Sequence, residues 1–425
     1  MTIKTTSKAL LGTAVSFALL STASIANAAD LDNLSDDDLL KRIERLEKII
    51  GPGDNYAVRN ANDKVRVSVT GQLNRLVLGF GDGTDFEVRN LDNTTSSSRF
   101  RIFGAAKLNE NWTAGTAFEF EIGGEFSSAV TQDQISVANP NADLELNASS
   151  VRRAALFVKH KTYGRLLIGQ FQTATDFNFH NDLSGTFIAG YSEVNLIGGG
   201  INFRTNGGAN LTTFNISDAT AGAGFDGGGR DDVIRYDTAA FAGFTGSASF
   251  TNGDEYAFNL GYKNKDLAGF NVDGDIGYTN FGDSTRDLIS GSISAVHNAT
   301  GLNGTFSYAD DNDDQRAIYG KAGWKTKFFP VGKSHFVFEA GRFTNQNVTE
   351  SILAVNAGDA GAANVVDTFT DFESQSTVLG GSFVQHIDAF ALEAFIAYRN
   401  FSVDDIGAIE FEDINTITAG GRIKF

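Results

Sequence analysis

Apolar and polar residues alternate along most of this chain from residue 65 onward. The alternation is clear in residues 256–265, where one side carries Tyr256, Phe258, Leu260 and Tyr262. Residues 270–281 repeat it, with Asp273 and Asp275 on the polar side. Successive side chains of a strand point to opposite faces, so these segments predict strands with one apolar and one wet face. Each is about 10 residues long, which is the length a tilted strand needs to cross a membrane.

The connections between these segments alternate between short and long. Short ones lie around Asn109, Gly164, Pro330 and Asp388. Bacterial outer-membrane barrels have short periplasmic turns and longer external loops, so we place the short connections in the periplasm. The longest gap, residues 172–230, is too long for an ordinary hairpin, and such loops are usually functional.

The strand pattern predicts an all-β fold, a 16-stranded antiparallel transmembrane β-barrel over residues 54–425. The count depends on one uncertain hairpin. Residues 201–205 and 211–217 could pair within the long gap, which would raise the count to eighteen. No run of about 18 apolar residues predicts a membrane-spanning helix.

The two ends of the chain predict export. Lys4 and Lys8 precede a short apolar run, and Ala26-Asn27-Ala28 fits a cleavage site, so residues 1–28 are predicted to be a signal peptide. Residues 414–425 alternate as a strand and stop at Phe425. This ending resembles the closing strand of Gram-negative outer-membrane proteins, in which a terminal Phe is the membrane-insertion signal.

Between the signal and the barrel, residues 29–53 predict a short helix and a linker. The apolar side has the spacing of a coiled-coil seam and consists of Leu39, Ile43, Leu46 and Ile50. Gly51-Pro52-Gly53 ends the helix. Two heptads are too few to be stable alone, so we expect a periplasmic coiled coil held together by an oligomeric barrel. Such a coil could contact peptidoglycan. The alternative is a helix packed on the mouth of its own barrel.

Composition excludes several functions. The 425 residues contain no cysteine, which rules out disulfides, thiolate metal sites and a Cys nucleophile. The five histidines are scattered with no pair at metal-ligand spacing, and no nucleophile–base pair stands out, so we predict no enzyme, no metal and no cofactor. The net charge of −18 argues against nucleic-acid binding and suggests acidic loops with a preference for cations.

One acidic segment has a spacing of acids that resembles a calcium-binding loop. It comprises residues 310–314 (DDNDD). Gln315 replaces the required Gly, and Lys321 stands at the position of the bidentate Glu. We interpret the segment as a solvated external tip. The alternative is that divalent cations bridge it to lipopolysaccharide.

Three segments together resemble the Gram-negative trimeric porins. They are SSRFRIFGAAKLNENWTAGTAFEFE (97–121), SVRRAALFVKHKTYGRLLIGQF (150–171) and RDDVIRYDTAAFAGFTGSASF (230–250). The resemblance covers the barrel from about residue 65 to 425. It implies a homotrimer in the lipid bilayer and lipopolysaccharide of the cell outer membrane. It also implies passive diffusion of ions and small hydrophilic solutes through a water-filled pore. The alternatives are a solute-selective porin and a structural or adhesive protein linked to the cell wall.

The resemblance also implies where the pore narrows. In this family the third external loop folds into the barrel, and acids on it face arginines on the wall. The wall positions correspond to Arg99, Arg101, Arg152 and Arg235, whereas Arg153 is expected to face outward. The alternatives for each arginine are a rim residue that binds lipopolysaccharide phosphate and a solvated charge on the wall.

The acids implied on the pore-facing side of that loop are Asp176, Asp182 and Glu193. The loop also contains Asp218 and Asp226, and it lacks the acidic-Phe-Gly-Gly signature of the family. The sequence therefore predicts the sign of the loop charge but leaves open which acids line the pore.

Overall fold

The computed structural model describes residues 65–132, 151–205, 210–220, 224–282, 284–354, 364–405 and 409–425. The predicted signal peptide (1–28) and the predicted coil and linker (29–53) lie outside the described residues. Within the described ranges, no helix is both long and apolar enough to cross a membrane.

In the described residues, the regular structure consists of nineteen strands, one short α-helix and four short 3-10 helices. The strands are β1 Arg66–Gly81, β2 Phe86–Asp92, β3 Arg99–Lys107, β4 Trp112–Glu121, β5 Val151–His160, β6 Gly164–Gln172, β7 Asn202–Thr205, β8 Asn210–Asn215, β9 Arg230–Asp237, β10 Phe244–Thr251, β11 Tyr256–Leu267, β12 Phe270–Asn280, β13 Asp287–His297, β14 Leu302–Asp311, β15 Arg316–Thr326, β16 Ser334–Ala354, β17 Asn364–Ile387, β18 Leu392–Val403 and β19 Ile414–Lys424. The helix is α1, Ile216–Ala219.

These strands form a closed antiparallel barrel of sixteen wall positions. Closure comes from β1 pairing with β19, in a register that sets Gln72 opposite Lys424. The strands β2 and β3 share one wall position, because they pair with successive parts of β1. Residues 66–72 of β1 pair with β3, and residues 75–81 pair with β2. The hairpin of β7 and β8 lies in the loop between β6 and β9, which pair directly with each other.

The sixteen-stranded prediction is therefore confirmed, and the eighteen-stranded alternative is wrong. The extra hairpin does form, close to the predicted residues. It does not enter the wall, because β6 and β9 are already paired to each other. Instead, β8 pairs with the outer end of β16, where Thr212 lies opposite Ile352.

The alternation seen in the sequence separates an apolar outer surface from the barrel interior. On β5, Leu156 is 64% exposed, whereas Ala155 and Phe157 are buried. Exposed apolar side chains recur around the wall, including Ile168, Ile234, Phe258, Ile276, Ile293, Phe306 and Ile396. A belt of this kind is what the lipid-facing side of a transmembrane barrel requires.

The short connections gather at one end of the barrel, beside the last residue of β19. Gly164 shows why one of these turns needs glycine. Its φ is +95°, and a Cβ there would lie 2.0 Å from the carbonyl oxygen of Asp237. At the same end, the backbone NH groups of Gly71 and Phe425 donate to each other's carbonyl oxygens at 2.8 and 2.9 Å. The aromatic side chains of Trp324, Phe328 and Phe329 are exposed near this end, where aromatic residues suit the membrane–water interface.

The long connection between β6 and β9 spans residues 173–229, and we call it the inner loop. Its described residues, 173–205, 210–220 and 224–229, fold back into the barrel. Its apolar residues form a core with the inward-facing side of the wall. The loop contributes Phe179, Ile188, Val194, Ile197, Ile201, Phe203, Phe214 and Ile216, and the wall contributes Leu78, Phe80, Tyr319, Phe343, Val378, Phe401 and Ile414. Burial of this surface fixes the loop against β1 and β15–β19, so the loop occupies part of the lumen.

Candidate functional site

Four arginines surround one glutamate on the inner face of β3, β4 and β5. Glu119 Oε1 accepts from Arg99 Nη1 at 3.1 Å and from Arg152 Nε at 2.8 Å. Its Oε2 accepts from Arg101 Nε at 2.6 Å, and Arg153 Nε lies 3.7 Å away. We call these four residues, with Glu119 between them, the arginine cluster. The Glu119 side chain is 1% exposed, whereas those of Arg101, Arg152 and Arg153 keep 17–18% exposure.

The inward direction of both Arg152 and Arg153 has a local cause. Arg153 shares the parity of the buried Ala155 and Phe157, so it points inward by normal alternation. Between Glu119 and Phe120 the pairing with β5 shifts register, which leaves Arg152 as the extra residue of a bulge. A bulge re-aims a side chain, and here it brings Arg152 to Glu119. The prediction that Arg153 faces outward is wrong.

The arginine cluster has more positive than negative charge. Among the described residues, the second acid in contact with these arginines is Glu121, which accepts from Arg152 Nη1 at 2.8 Å. Four guanidinium groups therefore meet two carboxylates. Guanidinium groups stay protonated in proteins, so the described residues of this part of the wall carry an excess of two positive charges.

The fourth predicted wall arginine, Arg235, lies outside this cluster. Its Nε donates to Asp237 at 2.8 Å, and Arg165 Nη2 donates to the same carboxylate at 2.5 Å. Arg235 Nη1 also donates to the carbonyl oxygens of Gln172 and Thr173, at 3.2 and 2.5 Å. Arg235 therefore holds the point where the inner loop leaves the wall.

The predicted acid Asp182 is buried and binds the opposite side of the barrel. Its Oδ2 accepts from Lys321 Nζ on β15 at 2.7 Å, and both side chains are at most 2% exposed. Lys321 Nζ also donates to Thr186 Oγ1 at 3.1 Å and to Gly190 O at 2.6 Å. Asp182 is an anchor of the inner loop, and it does not line the open lumen.

Asp176 and Glu193 are also buried, at 8% exposure each. Arg230 Nη2 lies 3.7 Å from Asp176, and Tyr191 donates to Glu193 at 3.0 Å. The expectation that these acids face the wall arginines across the pore therefore does not match the structure. The physical reason is that the inner loop has its own core, so these acids are enclosed within it instead of being presented to water.

Comparison with known proteins identifies the family. The family model for Gram-negative porins matches residues 13–355, which is most of the chain. This chain belongs to the Gram-negative porin family. It is therefore an outer-membrane channel for passive diffusion of solutes, in a family of channels and not of enzymes. No curated protein sequence matches this porin.

Solved structures share the fold of this porin at low sequence identity. The anion-selective porin from Comamonas acidovorans is 14% identical with a TM-score of 0.52, covering 85% of this chain and all of its own. OmpT of Vibrio cholerae, folded in vitro, is 12% identical with a TM-score of 0.51, covering 87% of this chain and all of its own. A trimer form of OmpT is 13% identical with a TM-score of 0.50, covering 85% and 100%.

A second buried cation fixes the inner loop of the porin to β16 and β18. Arg399 Nε donates to Glu339 Oε1 at 2.6 Å. Its two Nη atoms donate to Val194 O at 3.1 Å and to Tyr191 O at 3.3 Å. We call Lys321, Arg399 and Glu339 the anchoring wall. A Cβ at Gly190 would lie 2.1 Å from Arg399 Nη2, so only glycine fits there.

Sequence reasoning missed the acids that neutralise the wall arginines. Glu119 and Glu121 lie on the inward parity of β4, directly opposite Arg101 and Arg99. Asp237 similarly lies opposite Arg165. Alternation alone could have identified them, since a charged residue on the wet side of a strand and its cross-strand neighbour form a predictable pair.

The acidic tip at residues 310–314 is partly internal. The Asp311 carboxylate accepts a hydrogen bond from Arg286 Nε at 2.7 Å. It also accepts from the backbone NH groups of Asp313 and Gln315, at 3.1 and 2.8 Å. Asp311 therefore shapes the turn, which leaves Asp313 and Asp314 as the exposed acids of this tip.

Proposed function

We propose that the constriction of this porin is the space between the arginine cluster and the inner loop, and that it favours anions. The observation that carries the proposal is the excess of two guanidinium groups over carboxylates around Glu119. Arg101, Arg152 and Arg153 keep partial exposure, so a passing ion meets their field. Rings or rows of basic side chains favour anions in channels.

The acids of the inner loop do not offset this charge at the lumen. Asp182 forms a buried ion pair with Lys321, and Asp176 and Glu193 are enclosed within the loop. The net charge of −18 therefore has to be carried elsewhere, in part by external tips such as Asp313 and Asp314. Screening limits distant charges to about 10 Å at 0.1 M salt, so the constriction is governed by its nearest charges.

Further proposals concern partners. A homotrimer is supported by the trimer form of the Vibrio cholerae protein and by the family resemblance. Contact with lipopolysaccharide is supported by the exposed external acids Asp313 and Asp314, which divalent cations could bridge to phosphate groups. Contact with peptidoglycan through the predicted coil at residues 29–53 depends on residues that the structure does not describe.

The test is the reversal potential of the purified porin in a planar bilayer under a KCl gradient. We expect preference for chloride and, for a trimer, conductance in three equal steps. Arg101→Gln should shift the reversal potential toward that of potassium, whereas the control Arg342→Gln should not. Arg342 pairs with Asp404 and is half-exposed. Cation preference of the unmodified porin would contradict the proposed constriction, and saturable currents would favour a solute-selective porin.

A further inference from the structure

Inside the inner loop, one histidine and two carboxylates converge in a buried site. His180 Nε2 lies 2.7 Å from Asp226 Oδ1 and 3.7 Å from Glu193 Oε2. One ligand atom from each of the three residues lies within 4.8 Å of the other two. They come from the beginning, the middle and the end of the loop. We call them the inner-loop triad.

The tautomer of His180 is fixed by its other nitrogen. Ser192 Oγ donates its single hydrogen to the carbonyl oxygen of Phe179 at 2.7 Å. Ser192 Oγ lies 3.0 Å from His180 Nδ1, so it must accept from that nitrogen. Nδ1 is therefore the protonated nitrogen, and Nε2 faces the carboxylates. Metal-binding histidines typically donate their second nitrogen in this way.

The polar atoms of this site are incompletely satisfied. His180 has a side chain with 0% exposure, and its Nε2 makes no aligned hydrogen bond with any described residue, despite the closeness of Asp226. Asp176 has a fully buried side chain that adjoins the carboxylate of Asp226. Neither oxygen of Asp176 makes a hydrogen bond among the described residues, and its neighbouring cation, Arg230, stays 3.7 Å away.

Three carboxylates, those of Asp176, Glu193 and Asp226, are buried together. Arg230 Nη2 lies 3.7 Å from Asp176, so one guanidinium group serves three acids. His180 Nε2 lies 2.7 Å from Asp226 Oδ1 and 3.7 Å from Glu193 Oε2, which positions it to share a cation with both carboxylates.

We propose that the inner-loop triad binds one first-row transition-metal dication of the Zn²⁺ type through His180 Nε2 and the carboxylates of Glu193 and Asp226. An imidazole ligand beside two carboxylates suits Zn²⁺ better than Ca²⁺ or Mg²⁺, which require six or more oxygen ligands. Asp176 adjoins the site and can supply a further oxygen.

Such an ion would cross-link distant parts of the inner loop. Phe177 N already donates to Asp226 Oδ1 at 2.9 Å, which joins the first and last turns of the loop. Glu193 belongs to the stretch that Arg399 holds through Tyr191 and Val194. Metal bound at the triad would connect the two ends of the loop to its anchored middle and so stiffen the constriction.

The experiment is Zn²⁺ binding to the full-length porin in detergent after treatment with EDTA and dialysis. Zinc content per chain and titration calorimetry give stoichiometry and affinity, and Co²⁺ absorption reports an ordered ligand set. We expect one Zn²⁺ per chain, with affinity reduced at least tenfold in His180→Gln and about 10- to 100-fold in Ser192→Ala. The control is His297→Gln, because His297 ends β13 outside the loop and its Nδ1 lies 2.8 Å from Thr300 Oγ1 in the adjacent turn.

The outcomes separate a metal site from a simple ion pair. Absence of stoichiometric Zn²⁺ binding to the unmodified porin would mean that a proton holds the site, and it would overturn the proposal. Equal binding by His180→Gln and by the control would overturn it as well. Electrophoretic mobility of unheated samples checks that each barrel is folded. If His180→Gln fails to fold, Ser192→Ala decides the question, because it keeps every proposed ligand.

Discussion

The arginine cluster and the anchoring wall use the same chemical groups for opposite purposes. On the anchoring wall each buried cation has its own carboxylate: Lys321 binds Asp182 and two further oxygens, and Arg399 binds Glu339 and two loop carbonyls. In the arginine cluster, four cations surround Glu119, and among the described residues only Arg152 also bonds to Glu121. Ion pairs with one carboxylate for each cation hold a loop, whereas a set with more cations than carboxylates leaves charge for the solute. The balance of partners distinguishes the two roles.

The largest effect should follow from breaking the anchoring wall at Lys321. Lys321→Met leaves Asp182 buried without its cation. Removal of one partner of a buried pair costs about 3–5 kcal/mol, and the inner loop can relieve part of this cost by leaving the wall. We expect a lower thermal unfolding midpoint together with larger and noisier single-channel currents.

Arg316→Met is the matched control because it lies on the same strand, β15. Arg316 pairs with Asp310 at 2.9 Å, but its side chain is 57% exposed. We expect neither the unfolding midpoint nor the current to change. If Lys321→Met kept the quiet, smaller conductance of the unmodified porin, the loop would be held by its apolar core alone, and the distinction between the two regions would weaken.

A smaller effect should come from changing the balance of the arginine cluster. Glu119→Gln removes the carboxylate that four arginines share and so adds one positive charge to the constriction. Because Arg101, Arg152 and Arg153 remain partly exposed, water can solvate them after the change. We expect the reversal potential to move further toward that of chloride, with the barrel still folded.

Asp404→Asn serves as the control for charge alone. It also removes one negative charge, but Asp404 is 57% exposed beside Arg342, outside the arginine cluster. The reversal potential of the Asp404→Asn variant should match that of the unmodified porin. Equal shifts in the two variants would mean that total charge, and not the cluster, sets the selectivity.

The wall of the barrel could be predicted from the sequence because its pattern is local. Strand alternation and turn positions predict the sixteen positions, and the resemblance to porins implies that Arg99, Arg101 and Arg152 share the pore wall. The outward prediction for Arg153 is wrong because a bulge at Arg152 lets both neighbouring arginines point inward. A bulge depends on how two strands pair, and one sequence does not show where the extra residue falls. The hairpin of β7 and β8 was found, but its place inside the barrel was not.

The inner loop could be predicted only in outline. Its length and acidic character were evident, but its contacts join residues far apart in the sequence. Asp182 pairs with Lys321, and His180 meets Asp226, through packing that no local pattern records. An acid in such a loop is as easily an anchor or a buried ligand as a pore-lining charge, so composition alone could not assign its role.

Salt concentration should produce the smallest effect and should act on only one of the two regions. The Debye length falls from about 10 Å at 0.1 M to about 3 Å at 1 M. The partly exposed arginines are open to this screening, whereas Lys321 and Asp182, at 1% and 2% exposure, are not. Reversal potentials measured at a fixed gradient ratio should therefore approach the value set by ion mobilities as KCl rises, while current noise stays constant. Selectivity that persisted at 1 M KCl would point instead to a constriction narrow enough to exclude the screening ions, and noise that grew with salt would place the anchoring pairs in contact with water.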